Sequence, residues 1–145
     1  MEQKNTAVKK KKEKRAPYLV MTDTIIYNPN IPFGAQKLFS VVNSFCEGEK
    51  GCFVQNDYLS NILFLDGRTV CKYIALLEKW NYIYIKNKKK RNRTFYINKI
   101  SEKIYIEAAL KVYQLKDVEA DVKEKEDVAK KFFLDALQLT TRIDE

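Results

Sequence analysis

The spacing of apolar residues predicts three consecutive helices in the middle of the chain. After Pro32, which can open a helix, apolar residues recur for about three turns at the period of an amphipathic helix. A second, shorter helix is predicted after Asn56, whose side chain suits an N-cap. Asp66 is the predicted cap of a third helix, whose apolar stripe reaches Trp80 before Asn81 ends it.

Strand-like patterns flank these helices. Residues 18–27 are rich in β-branched and aromatic side chains and predict a strand or an extended lead-in. Residues 52–54 predict a short strand. Residues 82–86 and 94–98 alternate as the two strands of a hairpin, and the loop between them, residues 87–93, contains five basic residues.

The last third of the chain predicts helices of a different kind. Residues 104–115 can form one helix, and from Val118 onward a three-four apolar spacing predicts a long amphipathic helix. Its apolar positions are Val118, Val122, Ala129, Phe132, Ala136, Leu139 and Ile143. We expect such a helix to form a homodimer seam, to dock on another protein, or to fold back on the rest of the chain. The candidate partner or dimer residues are Val118, Val122, Phe132, Ala136 and Leu139.

The charge is unevenly distributed along the 145 residues. The formal net charge is +8, of which residues 1–16 carry +5, residues 17–99 carry +6 and residues 100–145 carry −3. The first segment has almost no apolar content, so we predict a disordered basic arm, then one domain over 17–99 and an amphipathic helical tail over 100–145. A basic domain of this size favours an anionic partner, most often nucleic acid.

Composition excludes several kinds of chemistry. The chain has no histidine, which removes the common Ser-His-Asp and Cys-His nucleophiles and His-ligated metals. The four glycines form no phosphate-binding loop. The cysteines are Cys46, Cys52 and Cys71, and because they form no CxxC pair we expect reduced thiols. No apolar run reaches the length of a membrane span. We therefore expect a cytoplasmic protein that is not an enzyme, with no cofactor, no bound metal and no membrane contact.

Two short motifs give this pattern a family resemblance. The element order is helix, short strand, helix, tight turn, helix and basic hairpin, with "RTV" opening the third helix and "LLEKWNYI" closing it. Residues 18–98 resemble the winged helix-turn-helix domain of plasmid and phage replication initiator proteins of Gram-positive bacteria. The resemblance implies an α+β, mainly helical fold: a winged helix-turn-helix with a basic β-hairpin wing, here followed by a C-terminal helical extension.

The resemblance also implies which residues contact DNA. In winged helices the second of two crossed helices enters the major groove, and the hairpin reaches the backbone. Arg68 is placed to read a guanine, and the loop cations are placed to meet phosphates. The candidate DNA-binding residues are Arg68, Thr69, Lys72, Lys79, Lys86, Lys88, Lys89, Lys90, Arg91 and Arg93.

The turn before the third helix departs from the family pattern. Phe64 stands where the family usually carries a glycine. A bulky side chain disfavours the left-handed backbone that such turns often use. Either this turn has another geometry, or it tolerates strain.

These expectations lead to two hypotheses of different class. The first is a double-stranded DNA-binding protein of a plasmid or phage, acting in replication initiation or in transcription regulation. The alternative is a phage-type interaction or inhibitor protein that uses the same fold to bind a host nucleic-acid enzyme.

Overall fold

The computed structural model describes residues 22–46, 50–89 and 93–143. Within these ranges the chain is α+β and mainly helical, which confirms the predicted class. The helices are α1 (Asp23–Ile26), α2 (Phe33–Phe45), α3 (Asn56–Leu63), α4 (Gly67–Lys79), α5 (Lys99–Gln114) and α6 (Val122–Leu137). The strands are β1 (Ile83–Lys86) and β2 (Thr94–Ile97), and a single 3-10 turn covers Leu115–Asp117.

The hairpin is joined by a third segment of chain. Strands β1 and β2 pair antiparallel, with Ile83 opposite Ile97. Cys52 forms a two-bond bridge to Phe95, with N···O distances of 2.9 and 2.8 Å. The strand predicted over residues 52–54 is therefore reduced to one bridging residue, which ties the segment between α2 and α3 to the hairpin.

Helices α2 and α4 pack through their predicted apolar faces. The face of α4 buries Val70, Ile74 and Leu77, spaced at helical period. Gly34 lets the two helices approach closely, because a Cβ at this position would lie 2.8 Å from the Tyr73 ring. Phe45, the last residue of α2, is exposed.

The C-terminal helices pack on the same core as the central helices. Tyr105 of α5 is fully buried, stacks on Tyr82 at 4.6 Å between ring centroids, and donates its hydroxyl to the Trp80 carbonyl at 2.6 Å. Phe133 of α6 lies 5.7 Å from the Tyr105 ring. Burial raises the pKa of both tyrosines, so their hydroxyls stay protonated hydrogen-bond donors. Helices α5 and α6 are thus part of the hydrophobic core.

Polar side chains close the core where the N- and C-terminal parts of the chain meet. Asn30 donates its side-chain amide to the Lys130 carbonyl at 3.1 Å. Asn98 donates to the Thr141 carbonyl at 3.2 Å, and its side-chain oxygen also caps α5. The Asn30 bond holds α6 beside the turn before α2, and the Asn98 bond holds the segment after α6 beside the end of the hairpin.

Two secondary-structure predictions were wrong. The lead-in over residues 18–27 is helical at α1, with the amide of Ile26 bonded to the Thr22 carbonyl at 3.0 Å; residues 18–21 lie outside the described residues. The long helix expected from Val118 begins only at α6 and ends at Leu137. The reason is a capping box, in which Asp121 and Glu124 each bond the other's backbone amide and start a new helix.

The buried face of α6 also differs from the predicted stripe. Ala129, Phe133 and Ala136 face the core, so the interior aromatic is Phe133, and Phe132 is half-buried at the side. The adjacent phenylalanines made the two faces nearly equivalent by period alone, and packing against Tyr105 selects between them.

The expectation of reduced thiols was wrong for two of the three cysteines. Cys46 and Cys52 form a disulfide, with their Cα atoms 4.9 Å apart, while Cys71 is free and exposed. Cys46 ends α2 and Cys52 bridges to the hairpin, so the fold brings together two residues whose spacing matches no motif.

Candidate nucleic-acid interface

Helix α4 is held at its N-terminus by the predicted cap. The Asp66 side chain accepts a hydrogen bond from the Thr69 amide at 2.7 Å. This bond favours the carboxylate and lowers the pKa of Asp66. Thr69 itself is half-exposed, and its amide is committed to the cap. The cap fixes where α4 begins and therefore which residues face outward.

The outward side of α4 carries a basic stripe, which we define as Arg68, Lys72, Ala75 and Lys79. Successive members are separated by four, three and four residues in the sequence. At the helical period they therefore lie on one side of α4, opposite Val70, Ile74 and Leu77. All four are exposed. Within the described ranges, none of the three cations has an acidic partner among the ion pairs of the fold.

The hairpin lies along one edge of this stripe. Lys88 forms a 2.7 Å ion pair with Glu78 near the end of α4. Two helical turns earlier, Cys71 accepts a hydrogen bond from the Asn56 side chain at 3.5 Å. The edge marked by Cys71 and Glu78 therefore meets the hairpin and the start of α3, and the basic stripe beside it stays open.

Arg93 immediately precedes β2, at the loop end of the hairpin, and has a structural role. Its guanidinium donates to the Val54 carbonyl at 2.5 Å and lies 4.5 Å from the centre of the Phe95 ring. The group is about half buried, and burial lowers its pKa. Of the predicted DNA-binding cations in the described part of the chain, Arg93 is thus the one that the fold itself uses most.

The other hairpin cations lie at the end of β1 and in the loop that follows it. Lys86 is exposed, with its ammonium 5.0 Å from the centre of the Tyr96 ring. That ring stacks on Tyr84 at 5.0 Å with an interplanar angle of 9°. Lys89 is also exposed, and the predicted contacts Lys90 and Arg91 lie outside the described residues. The hairpin therefore presents Lys86 beside a stacked pair of tyrosine rings.

Phe64 adopts the left-handed backbone at φ 57° and ψ 46°, so strain is tolerated in this turn. The amides of Phe64 and Leu65 both bond the Ser60 carbonyl, the latter at 3.1 Å, which is the pattern of a left-handed helix end. For a non-glycine residue this conformation costs about 1–2 kcal/mol. The ring is 92% exposed and offsets none of that cost through burial.

Two features of this surface were missed by the sequence reasoning. Glu78 neutralises Lys88, and Arg93 bonds to Val54, so both contacts link the hairpin to other elements. No local period signals them, because each depends on where the hairpin folds back. Gly67 opens α4, and no atom lies within 4 Å of where its Cβ would stand.

The predicted partner or dimer residues do not share one helix face. Val118 lies in the segment between the 3-10 turn and α6, and Val122 opens α6 with 83% exposure. Phe132, Ala136 and Leu139 line a groove of about 360 Å³ between α5 and α6, where the Lys111 ammonium lies 5.7 Å from the Phe132 ring. The structure brings together only these last three.

The comparisons with known proteins add no relative. The chain matches no protein-family model, no curated protein and no solved structure. In the described ranges, no three His, Cys, Asp or Glu side chains come together as a metal site, and no helix is both long and apolar enough to cross a membrane. Functional inference therefore rests on the basic stripe, the hairpin and the turn before α4.

Proposed function

We propose that this protein binds double-stranded DNA through a winged helix-turn-helix domain. The order α2, bridge at Cys52, α3, α4 and hairpin matches that arrangement, with α3 and α4 as the two helices and the hairpin as the wing. We place the protein in the cytoplasm, on a plasmid or phage genome, in replication initiation or transcription regulation.

The observation that carries this proposal is the basic stripe next to the hairpin. Arg68, Lys72 and Lys79 project from one side of a capped helix, and Lys86 and Lys89 extend the positive surface. Cations without internal partners repel one another, and they are stabilised when they neutralise a polyanion and release its counterions. A helix of this width fits the major groove, which is about 12 Å wide.

The proposed complex assigns different roles to the two elements. Arg68, in the first turn of α4, reaches base edges and can make a bidentate contact to guanine, whereas Lys72 and Lys79 meet phosphates. The hairpin lies on the neighbouring backbone. The basic arm over residues 1–16 adds charge or enters a minor groove.

The test compares two triple variants in binding to a random duplex of about 30 base pairs. Replacing Arg68, Lys72 and Lys79 by Ala should weaken binding by about 10- to 100-fold and flatten the salt dependence by about 0.9 for each phosphate that is no longer neutralised. Replacing Lys123, Lys130 and Lys131 of α6 removes the same charge from the other end of the chain and should change affinity far less.

Two results would contradict the proposal. One is that the wild-type protein fails to shift any duplex at low salt. The other is that both triple variants lose affinity equally, since the attraction would then depend on net charge alone. Circular dichroism of both variants checks that each remains folded.

A second candidate function is favoured by the groove between α5 and α6. This groove is lined by Phe132, Ala136 and Leu139 and lies outside the basic stripe. It suits the alternative of an interaction or inhibitor protein that docks on a host nucleic-acid enzyme, or a homodimer that uses the same residues. The variant Leu139→Asp tests both alternatives. If the groove forms a homodimer, sedimentation should show that the variant no longer self-associates. If the groove docks on a host enzyme, the variant should no longer inhibit a purified host polymerase.

A further inference from the structure

The turn between α3 and α4 places an aromatic ring where the fold gains nothing from it. Phe64 holds a left-handed backbone that glycine adopts at no steric cost, and its ring is almost fully exposed. In the described part of the chain, no aromatic or cationic side chain stacks on it. Backbone strain without a compensating internal contact points to a role outside the folded monomer.

The neighbouring Gly67 supports the same conclusion. A Cβ at this position would meet no atom within 4 Å, and the backbone is not left-handed, so the fold accommodates any side chain here. Glycine is instead a poor helix residue. The bare first turn of α4 and the exposed ring three residues before it together form a surface that another molecule can approach closely.

Charge identifies the class of that molecule. Arg68 lies one residue beyond Gly67 and begins the basic stripe, so the turn that carries the ring leads directly into a surface that attracts a polyanion. The Phe64 side chain offers only apolar area. In the major groove of DNA, the apolar feature that a protein can contact is the C5-methyl group of thymine.

We propose that Phe64 is a specificity-determining residue that packs against a thymine methyl at the edge of the major groove. This inference rests on the proposed DNA-binding function. With this contact, the proposed DNA-binding surface includes one aromatic side chain as well as cations. The Phe64 ring would supply a preference for thymine that Arg68 alone does not supply.

Two variants separate the ring from the backbone. Phe64→Gly removes the ring and relieves the left-handed strain, so the midpoint of thermal unfolding should rise by about 2–8 °C. Phe64→Ala removes the ring and keeps the strain, so its midpoint should stay near that of the wild type. Both variants should bind the duplex that the wild type selects from a random library about 5- to 10-fold more weakly.

Replacing thymine by uracil tests the methyl group directly. Each thymine of the selected duplex is changed in turn, which removes one methyl and leaves base pairing intact. The affinity of the wild type should fall about 3- to 10-fold at one thymine, and that of the two variants should fall no further there, because the partner of that methyl is already absent.

Several outcomes would overturn the inference while leaving the proposed function intact. Unchanged affinity in both variants would make Phe64 a strained helix end that does not touch DNA. Weaker binding by Phe64→Gly alone would assign the effect to a flexible turn. Weaker binding by both variants without a sensitive thymine, or weaker capture of a host protein with unchanged DNA affinity, would assign the ring to another partner. A wild type that binds no duplex would instead remove the proposed function.

Discussion

Helices α4 and α6 are both amphipathic and lysine-bearing, but they manage their charges in opposite ways. On α6, three lysines lie beside a carboxylate four residues away, in the pairs Lys123–Asp127, Lys130–Glu126 and Lys131–Asp135, at 3.4 to 4.0 Å. On α4, Arg68 and Lys72 stand four residues apart with like charge. Such a like-charge pair costs a few tenths of a kcal/mol, whereas each exposed ion pair on α6 contributes about as much.

This difference in charge pairing suggests how to distinguish a helix face that is only solvated from one that binds a partner. Charges that pair along their own helix serve the helix itself, and its opposite face then packs in the core, as Phe133 does on α6. Charges that repel one another along a well-capped helix would be stabilised by an anionic partner, which is the role that we propose for α4. Both helices bury an apolar face, so we expect the charged face of α6 to contribute to stability and the charged face of α4 to contribute to binding.

The largest expected effect is on stability, at the core position of α6. Phe133→Ala removes a fully buried ring that contacts Tyr105 and should lower the free energy of unfolding by about 3–5 kcal/mol, measured by urea denaturation. Phe132→Ala is the matched control and should cost about 1 kcal/mol, since that ring is half-buried. Equal destabilisation would show that the two faces of α6 are not distinguished in solution.

The next effect is on DNA binding, and it compares two groups of four cations. Changing Lys88, Lys89, Lys90 and Arg91 of the hairpin to Ala should weaken duplex binding about 10- to 100-fold and flatten the slope of log K against log salt by about 0.9 for each phosphate left without its cation. The same change at four lysines of α6 serves as control: Lys123, Lys125, Lys130 and Lys131. An unchanged slope in the hairpin variant would remove the hairpin from the interface.

The smallest effect concerns the cap of α4 and its dependence on pH. The pKa of Asp66 is lowered in the folded protein, so its carboxylate stabilises the fold above about pH 4, and this contribution disappears as the pH falls through the lowered pKa. Asp66→Asn should therefore lower the thermal midpoint slightly at about pH 6, and the difference from the wild type should shrink below about pH 4. A difference that stays constant with pH would show that the charge of the cap contributes nothing.

Local patterns made the central fold predictable. The period of apolar residues and the cap at Asp66 placed α2, α3 and α4, and alternation placed the hairpin. The four-residue helix α1 is too short to show a period. The break before α6 was missed because the apolar spacing continues through Val118, while the capping box at Asp121 decides where the helix starts.

The candidate site was predictable only where it depends on one helix. Helical spacing alone places Arg68 and Lys72 on the outer face of α4. The partners of Lys88 and Arg93 could not be predicted, because they depend on how the hairpin lies against α4 and the chain before α3. The same holds for the Cys46–Cys52 disulfide, which needs the bridge between Cys52 and Phe95 to form.

The hydrogen bond between Asn30 and Lys130 has a consequence for biosynthesis. It joins residues 100 positions apart, and the core around it also needs α5 and α6. At translation rates of about 5–20 residues per second, about 5–20 s pass between the synthesis of these two residues. During that interval the core lacks α5 and α6, so the chain can complete its folding only after α6 has been synthesised, and ribosome-associated chaperones can bind the exposed apolar surfaces of α2 and α4 until then.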